Sequence, residues 1–292
     1  MPKTAPTYYI KNSVIFSNGD DITANDVKFS FETLISKDAH PQYRIYWADI
    51  KAVKVLGRKS IKFIFDKKNP ELHMTIGDIP IFSKKWFESK KFSDSILDKP
   101  IASGPYIIDD YQTGKYIHYK KNPNYWGANE PTRSGMFNFD KIIFKYYKDM
   151  TVALEAFKAG EYDFIHENHS KRWARDYSGP NFDKKLIIKE ELQHSNNAGI
   201  QGFIFNTRKK LFANKKVREA ITLTFDFTWS NKNLFYGQYK RCESYFSNSE
   251  LSADQKPTNS EIQLAKELLI PEYLITDKDF SFLNTNKSIR NN

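Results

Sequence analysis

Cysteine is nearly missing from this 292-residue chain, in which Cys242 stands alone. No internal disulfide can form, and without a positioned histidine a lone thiol reads as a small apolar residue rather than a nucleophile. No run of apolar residues approaches the length of a membrane span, and residues 1–9 lack the apolar stretch of a secretory leader. Glycine is sparse, at 12 residues, and builds no phosphate-cradling loop. There is no Gly-x-Ser-x-Gly turn and no cysteine–histidine spacing that holds zinc. His166 and His169 flank Glu167 but stand three apart, whereas helical zinc peptidases need two histidines four apart on one face. These absences argue against an enzyme, a metal and a cofactor.

What is present belongs to a folded protein. Hydrophobic residues make up 40% and charged residues 27% of the chain, and aromatics reach 15% through 23 Phe and 17 Tyr. That much apolar surface offsets the entropy of ordering. The formal charge of +10 raises the question of nucleic acid. Its distribution answers against it: pairs such as Lys84-Lys85, Lys120-Lys121 and Lys215-Lys216 are scattered along the chain, with no compact basic stripe. Asp20-Asp21, Asp109-Asp110 and Glu190-Glu191 sit beside expected turns or strand ends and read as solvated charge.

Local patterns predict mixed strands and helices. Residues 8–16 read as a strand running into Ser17-Asn18-Gly19-Asp20, whose Asn-Gly pair tolerates positive φ. Thr23-Ala24-Asn25-Asp26 fits a capping box, followed by Val27, Phe31, Leu34 and Ile35 on one helical face. Residues 50–56 and 61–65 alternate as strands, with Ile61, Phe63 and Phe65 sharing a buried face. A second hairpin is expected over 106–108 and 116–120 with Gly114 in its turn, then a strand over 139–147. Thr151–Ala159 predicts a helix with Val152, Ala153, Ala156 and Phe157 inward, stopped by Gly160. Short strands follow over 162–165, 186–188 and 202–205. Helices are expected over 214–225 and from about Asp226 or Thr228. Beyond Leu251 the chain turns polar and reaches Ser288–Asn292 without a closing element. Strands and helices without a βα repeat indicate a mixed α/β or α+β fold.

Four of these segments, taken in order, resemble the peptide/nickel class (family 5) of ABC-transporter solute-binding proteins. They are Phe16-Ser17-Asn18-Gly19-Asp20 through Phe31-Glu32; Ser103-Gly104-Pro105-Tyr106 with Tyr119-Lys120-Lys121-Asn122-Pro123-Asn124-Tyr125-Trp126-Gly127; Ala156-Phe157-Lys158-Ala159-Gly160-Glu161-Tyr162-Asp163; and Phe205-Asn206-Thr207 leading to Val217-Arg218-Glu219-Ala220. Residues from Glu167-Asn168 through Gly202-Phe203 to Asn233–Arg241 resemble its YejA branch, which serves an importer of oligopeptides and microcin C. The resemblance implies an incomplete type II periplasmic-binding-protein-like fold of two lobes around a cleft. It implies a leader and first-lobe strands upstream and more of the second lobe downstream. Residues 1–100 would then form an extra subdomain of the first lobe, 101–206 that lobe's sheet, and 207–292 the start of the second lobe.

On that basis the chain is expected to be a monomeric periplasmic receptor handing oligopeptides to the permease and ATPase of an importer. Without a visible leader, a fragment of it would remain cytoplasmic. Candidate ligand contacts are Glu167 for a ligand amine, Asn168, Gln201 and Gly202 for ligand backbone, and Tyr46, Trp47 and Trp173 as aromatic walls. A satisfied loop hydrogen bond or a core position is the plainer role for each. Two other functions stay open: a remnant or split-gene product that binds nothing, and a basic interaction module.

Overall fold

The computed structural model describes residues 5–67, 71–94, 97–242, 244–252 and 256–270. Ser288–Asn292, the end without a closing element, lies outside them. The chain divides into two compact units that meet between Glu155 and Ala156.

In the first unit the Asn-Gly turn forms as its chemistry dictates. Gly19 takes a φ of +87°, a conformation that costs glycine little, and Asn18 Oδ1 accepts from the Asp20 N–H at 3.1 Å. The strand expected over 8–16 is shorter. β1 spans Thr7–Tyr9, because the chain turns at Lys11–Val14 and returns only as a single bridge between Ile15 and Asp21. Helix α1 (Ala24–Leu34) buries Ala24, Val27, Phe31 and Leu34, the face its spacing predicts. Helix α2 (Pro41–Tyr46) follows. β2 (Ile50–Gly57) and β3 (Ser60–Phe65) close a hairpin and, with β1, make an antiparallel sheet of order β1-β3-β2. Along β3 the burial alternates, with Ile61, Phe63 and Phe65 all inside. Trp47 and, from α3 (Leu72–Thr75) and the turn after it, Leu72, Ile76 and Ile79 complete the core beneath α1.

The start of α1 is locked by a buried carboxylate. Asp26 Oδ2 accepts from the Thr23 N–H at 2.9 Å and the Thr23 hydroxyl at 2.6 Å. Its Oδ1 accepts from the Lys84 N–H at 3.0 Å, so the same group caps the helix and ties down a loop distant in sequence. Asp26→Ala removes all three bonds and is expected to cost about 2 kcal/mol, read as a lower urea midpoint at unchanged m-value.

A second antiparallel sheet, of order β4-β5-β6, comprises β4 (Tyr106–Gln112), β5 (Tyr116–Lys121) and β6 (Lys141–Lys145). Gly114 turns its hairpin at a φ of +74°. The register slips between Ile108 and Asp110. The Asp109-Asp110 pair therefore lies inside β4 rather than beside a turn, with Asp109 bonded to Lys120 at 2.8 Å and Asp110 accepting from Tyr116 at 2.9 Å. Asn122 sews the aromatic turn to the Ser-Gly-Pro segment: its N–H donates to Pro105 O at 2.8 Å and its Nδ2 to Gly104 O at 3.2 Å. Trp126 Nε1 adds a bond to Ser103 O at 3.0 Å.

Helix α4 (Met150–Lys158) leads into the second unit and stops at Gly160, whose φ is +80°. Its buried residues are Ala153, Leu154, Ala156 and Phe157. The buried arc is rotated one step from the expected one, so Val152 is exposed and Leu154 takes its place. Short helices α5 (Ser170–Arg175), α6 (Pro180–Asp183) and α7 (Lys210–Ala213) precede α8 (Lys215–Thr224) and α9 (Phe227–Asn233). Asp226 caps α9 by accepting from the Trp229 N–H at 2.9 Å, which fixes the helix start anticipated there. The strands expected over 162–165, 186–188 and 202–205 have no ladder among the described residues. Short apolar runs suit a strand but supply no neighbour to pair with. In the polar tail, α10 (Asn259–Glu267) forms on a second capping box, Thr258 with Glu261. No helix among the described residues is long and apolar enough to cross a membrane.

Candidate functional site

A buried polar cluster in the second unit surrounds Glu167, at the turn that leads into α5. Its side chain is 2% exposed, and Arg172 grips it with two bonds, Nε to Oε2 at 2.8 Å and Nη2 to Oε1 at 3.0 Å. The His169 N–H donates to Oε1 at 2.6 Å and the Tyr177 hydroxyl to Oε2 at 3.2 Å. Burial alone would raise this carboxyl's pKa; the Arg172, His169 and Tyr177 bonds overcome it and hold the group below the ordinary glutamate range. Burial first, then the Glu167 charge, pushes the Tyr177 hydroxyl well above the ordinary tyrosine range.

A pH dependence follows from the Glu167 shift. A depressed folded-state pKa contributes stability that is fully present above the unfolded value of about 4.3 and is lost as pH falls through the folded value. Urea midpoints measured from pH 6 down to about pH 3 are expected to decline, with Glu167→Gln flattening the part of that slope owed to this group.

Trp173 extends the cluster outward. It is half-buried, its Nε1 donates to Glu191 Oε1 at 3.1 Å, and Lys189 lies over its ring at 4.4 Å while donating to its carbonyl. Tyr177 meets the ring at 5.6 Å between centroids. Glu191, expected as solvated charge, is thus the polar anchor of Trp173. Asn168 is exposed beside the cluster.

Gln201 and Gly202 are exposed on the segment after a stitched crossing. Asn248 Nδ2 donates to the carbonyls of His194 at 2.8 Å and Asn196 at 2.9 Å, and the Ala198 N–H donates to Ser247 O at 2.9 Å. The backbone at Gly202 is free of positive φ, and a Cβ there would meet nothing within 4 Å. The described residues therefore give no steric reason for glycine, which leaves the backbone open to close approach by another molecule.

In the first unit the two aromatic candidates part company. Trp47 is 2% exposed in the core, stacked on Tyr43 at 5.7 Å, with its Nε1 donating to Thr75 O at 3.1 Å. Tyr46, next in sequence, is 48% exposed and donates its hydroxyl to Asp78 at 2.9 Å. Arg172 and Tyr177 are not legible in the sequence as partners of Glu167, since a five-residue separation matches no helical spacing until the turn at 168–169 is known. Among the described residues no three His, Cys, Asp or Glu side chains gather to hold a metal ion.

A capped helix on a three-stranded sheet, the Ser-Gly-Pro stitch and the Gly160 stop lie within the region matched by one class of protein, the bacterial extracellular solute-binding proteins, family 5. The chain belongs to it: the model of that family's middle region matches residues 3–288, and the family is non-enzymatic. In particular, the chain is 39% identical to YejA of Escherichia coli over 249 residues, 85% of this chain and 41% of that protein. It is 34% identical to the "Probable peptide-binding protein YejA" of Agrobacterium fabrum over 284 residues, 93% of this chain and 46% of that one. The chain thus spans less than half the length of these relatives. Its mixed α/β fold matches the oligopeptide-binding protein AppA of Bacillus subtilis in complex with a nonapeptide, with a TM-score of 0.62 and 22% identity, over 91% of this chain and 52% of that one.

Proposed function

We propose that the chain forms part of an extracytoplasmic receptor that binds oligopeptides and delivers them to the permease and ATPase of an ABC importer. Family membership supports a solute receptor, and the Agrobacterium relative's name and the nonapeptide in AppA favour a peptide as the solute. The observation that carries the reading is the exposed, unhindered backbone at Gly202 next to exposed Gln201, with Asn168 also exposed elsewhere in the second unit. An extended ligand pairs its backbone with such groups, and its side chains stay free to vary. Tyr177, which donates to Glu167, packs against the half-buried ring of Trp173, and Lys189 lies over that ring. In the first unit Tyr46 presents its ring and Trp47 holds it from the core, the two rings 5.4 Å apart.

On this reading residues 1–100 form an extra subdomain of one lobe, 101–206 its sheet and 207–292 the start of the other, in a periplasmic monomer. Micromolar mixed oligopeptides are expected to raise the melting temperature, since ligand at a hundred times Kd adds about 2.7 kcal/mol. Gly202→Val would leave the unliganded melt unchanged and abolish the rise. No rise with any peptide would contradict the reading. A non-binding remnant is the second reading, favoured by the many exposed apolar residues of the second unit; it predicts a broad, ligand-insensitive melt.

A further inference from the structure

Of the scattered lysine pairs, Lys209-Lys210 and Lys215-Lys216 stand only four residues apart. With Arg208 and Arg218 they give residues 208–218 six cations and no acidic residue, the nearest acids being Glu191 and Glu219. Outside that stretch the second unit has more acidic residues than basic ones. Its positive charge is gathered in one place.

The fold holds this stretch as a fastened pair of helices. Asn214, between α7 and α8, caps α8 by accepting from the Lys216 N–H at 2.9 Å. Arg218 Nη1 ties the two together by donating to the carbonyls of Phe212 at 2.7 Å and Ala213 at 3.0 Å. Phe212 packs on Phe205 with ring centroids 5.4 Å apart, while Leu211 beside it is 61% exposed. Arg208 and all four lysines are exposed, and Lys209, Lys210 and Lys216 have no acidic partner among the described residues. Lys215 and Lys216 open α8 with no acidic residue in its first turn, a placement that the helix dipole opposes. Helix stability therefore does not account for them.

We propose that the α7–α8 corner adsorbs to an anionic lipid bilayer, its lysines among the headgroups and Leu211 at the edge of the acyl layer. Charge complementarity selects an anion, and the make-up of the corner selects its form. Four of the six cations are lysines, which are depleted at protein–protein interfaces. At a lipid surface a lysine keeps its ammonium in water while its stem lies along apolar matter. Phe212, the one aromatic residue of the stretch, is engaged with Phe205, so no free ring is offered for stacking on nucleic-acid bases. An exposed leucine with lysines on both sides of it in sequence suits the boundary between headgroup and chain.

The test is sedimentation of the 292-residue chain with vesicles of phosphatidylcholine alone, or of phosphatidylcholine with about one-third phosphatidylglycerol. Binding is expected to the anionic vesicles only, and to fall at least ~10-fold between about 50 mM and about 200 mM salt. Lys209→Gln, Lys210→Gln, Lys215→Gln and Lys216→Gln together weaken it ~100-fold or more, each lysine near such a surface being worth about fivefold. The circular dichroism of that variant stays unchanged, because the four side chains are in solvent. Lys54→Gln, Lys115→Gln, Lys121→Gln and Lys148→Gln remove the same charge from exposed positions of the first unit, and binding stays within about threefold of the parent. Equal binding to neutral vesicles, equal loss in the two variants, or no binding to anionic vesicles at about 50 mM salt overturns the proposal. So does release of the chain from the vesicles by single-stranded DNA at equal phosphate concentration, which would assign the corner to nucleic acid. No arm contains peptide, so the outcome is independent of solute binding.

Discussion

Phe63→Ala is expected to lower the stability of the first unit by about 4 kcal/mol, within the range measured for emptying a buried aromatic site. Phe63 is 0% exposed in β3, the central strand of its sheet, and meets Tyr8 at 5.6 Å and Phe31 at 5.8 Å, both edge to face. The ring thus joins β1, β3 and α1, and its loss leaves a cavity that three elements border. Urea unfolding followed by fluorescence reads the loss directly in a background where the other four tryptophans are replaced by phenylalanine, which leaves Trp47, buried in the same core, as the reporter. Phe63→Leu fills most of the volume and is expected to cost about half as much or less. Equal losses for the two substitutions would show that a specific ring contact, rather than filled space, holds the unit together.

Glu167→Ala is expected to destabilise the second unit by about 2–3 kcal/mol, at or below the lower end of the range for breaking a buried ion pair. The lower figure is apt because Arg172 keeps 26% of its side chain in contact with solvent, so its charge is only partly stranded. The substitution also leaves the Tyr177 hydroxyl and the His169 N–H without their acceptor. Pairing Glu167→Gln with Arg172→Met removes both charges, and much of the stability is expected to return. A double-mutant cycle with a coupling energy near zero would mean that the two residues do not act as a pair.

Much of the first unit is legible in the sequence because its signals are local. The Asn18-Gly19 turn, the Thr23 and Asp26 box and the period-two burial of Ile61, Phe63 and Phe65 each follow from residues within a few positions of one another. Elsewhere the structure departs from the local pattern because something outside that pattern decides. The strand expected over 8–16 breaks because a turn at Lys11–Val14 intervenes. Val152 gives way to Leu154 because the direction of the covering surface is invisible in a helical period. The segments 186–188 and 202–205 are short apolar runs that suit strands and have no ladder neighbour among the described residues. Helix α10 rests on Thr258 and Glu261, the same kind of box as Thr23 and Asp26, but the polar run around it conceals the signal.

At the site, the sequence singles out Glu167 and Trp173 but not their partners. Arg172, Tyr177 and Lys189 come into view only with the fold, since nothing in the residue order brings a guanidinium to a carboxylate across a turn. Trp47 and Tyr46 look alike in sequence, and only burial separates a core indole from an exposed phenol.

Calorimetric titration of the chain with a defined pentapeptide bearing free termini bears most directly on the proposal that it forms part of a peptide receptor. Saturable heat at one peptide per chain, absent for free amino acids and lost in Gly202→Val, is the predicted outcome. Featureless heats of dilution across a panel of peptides differing in length and charge would contradict it.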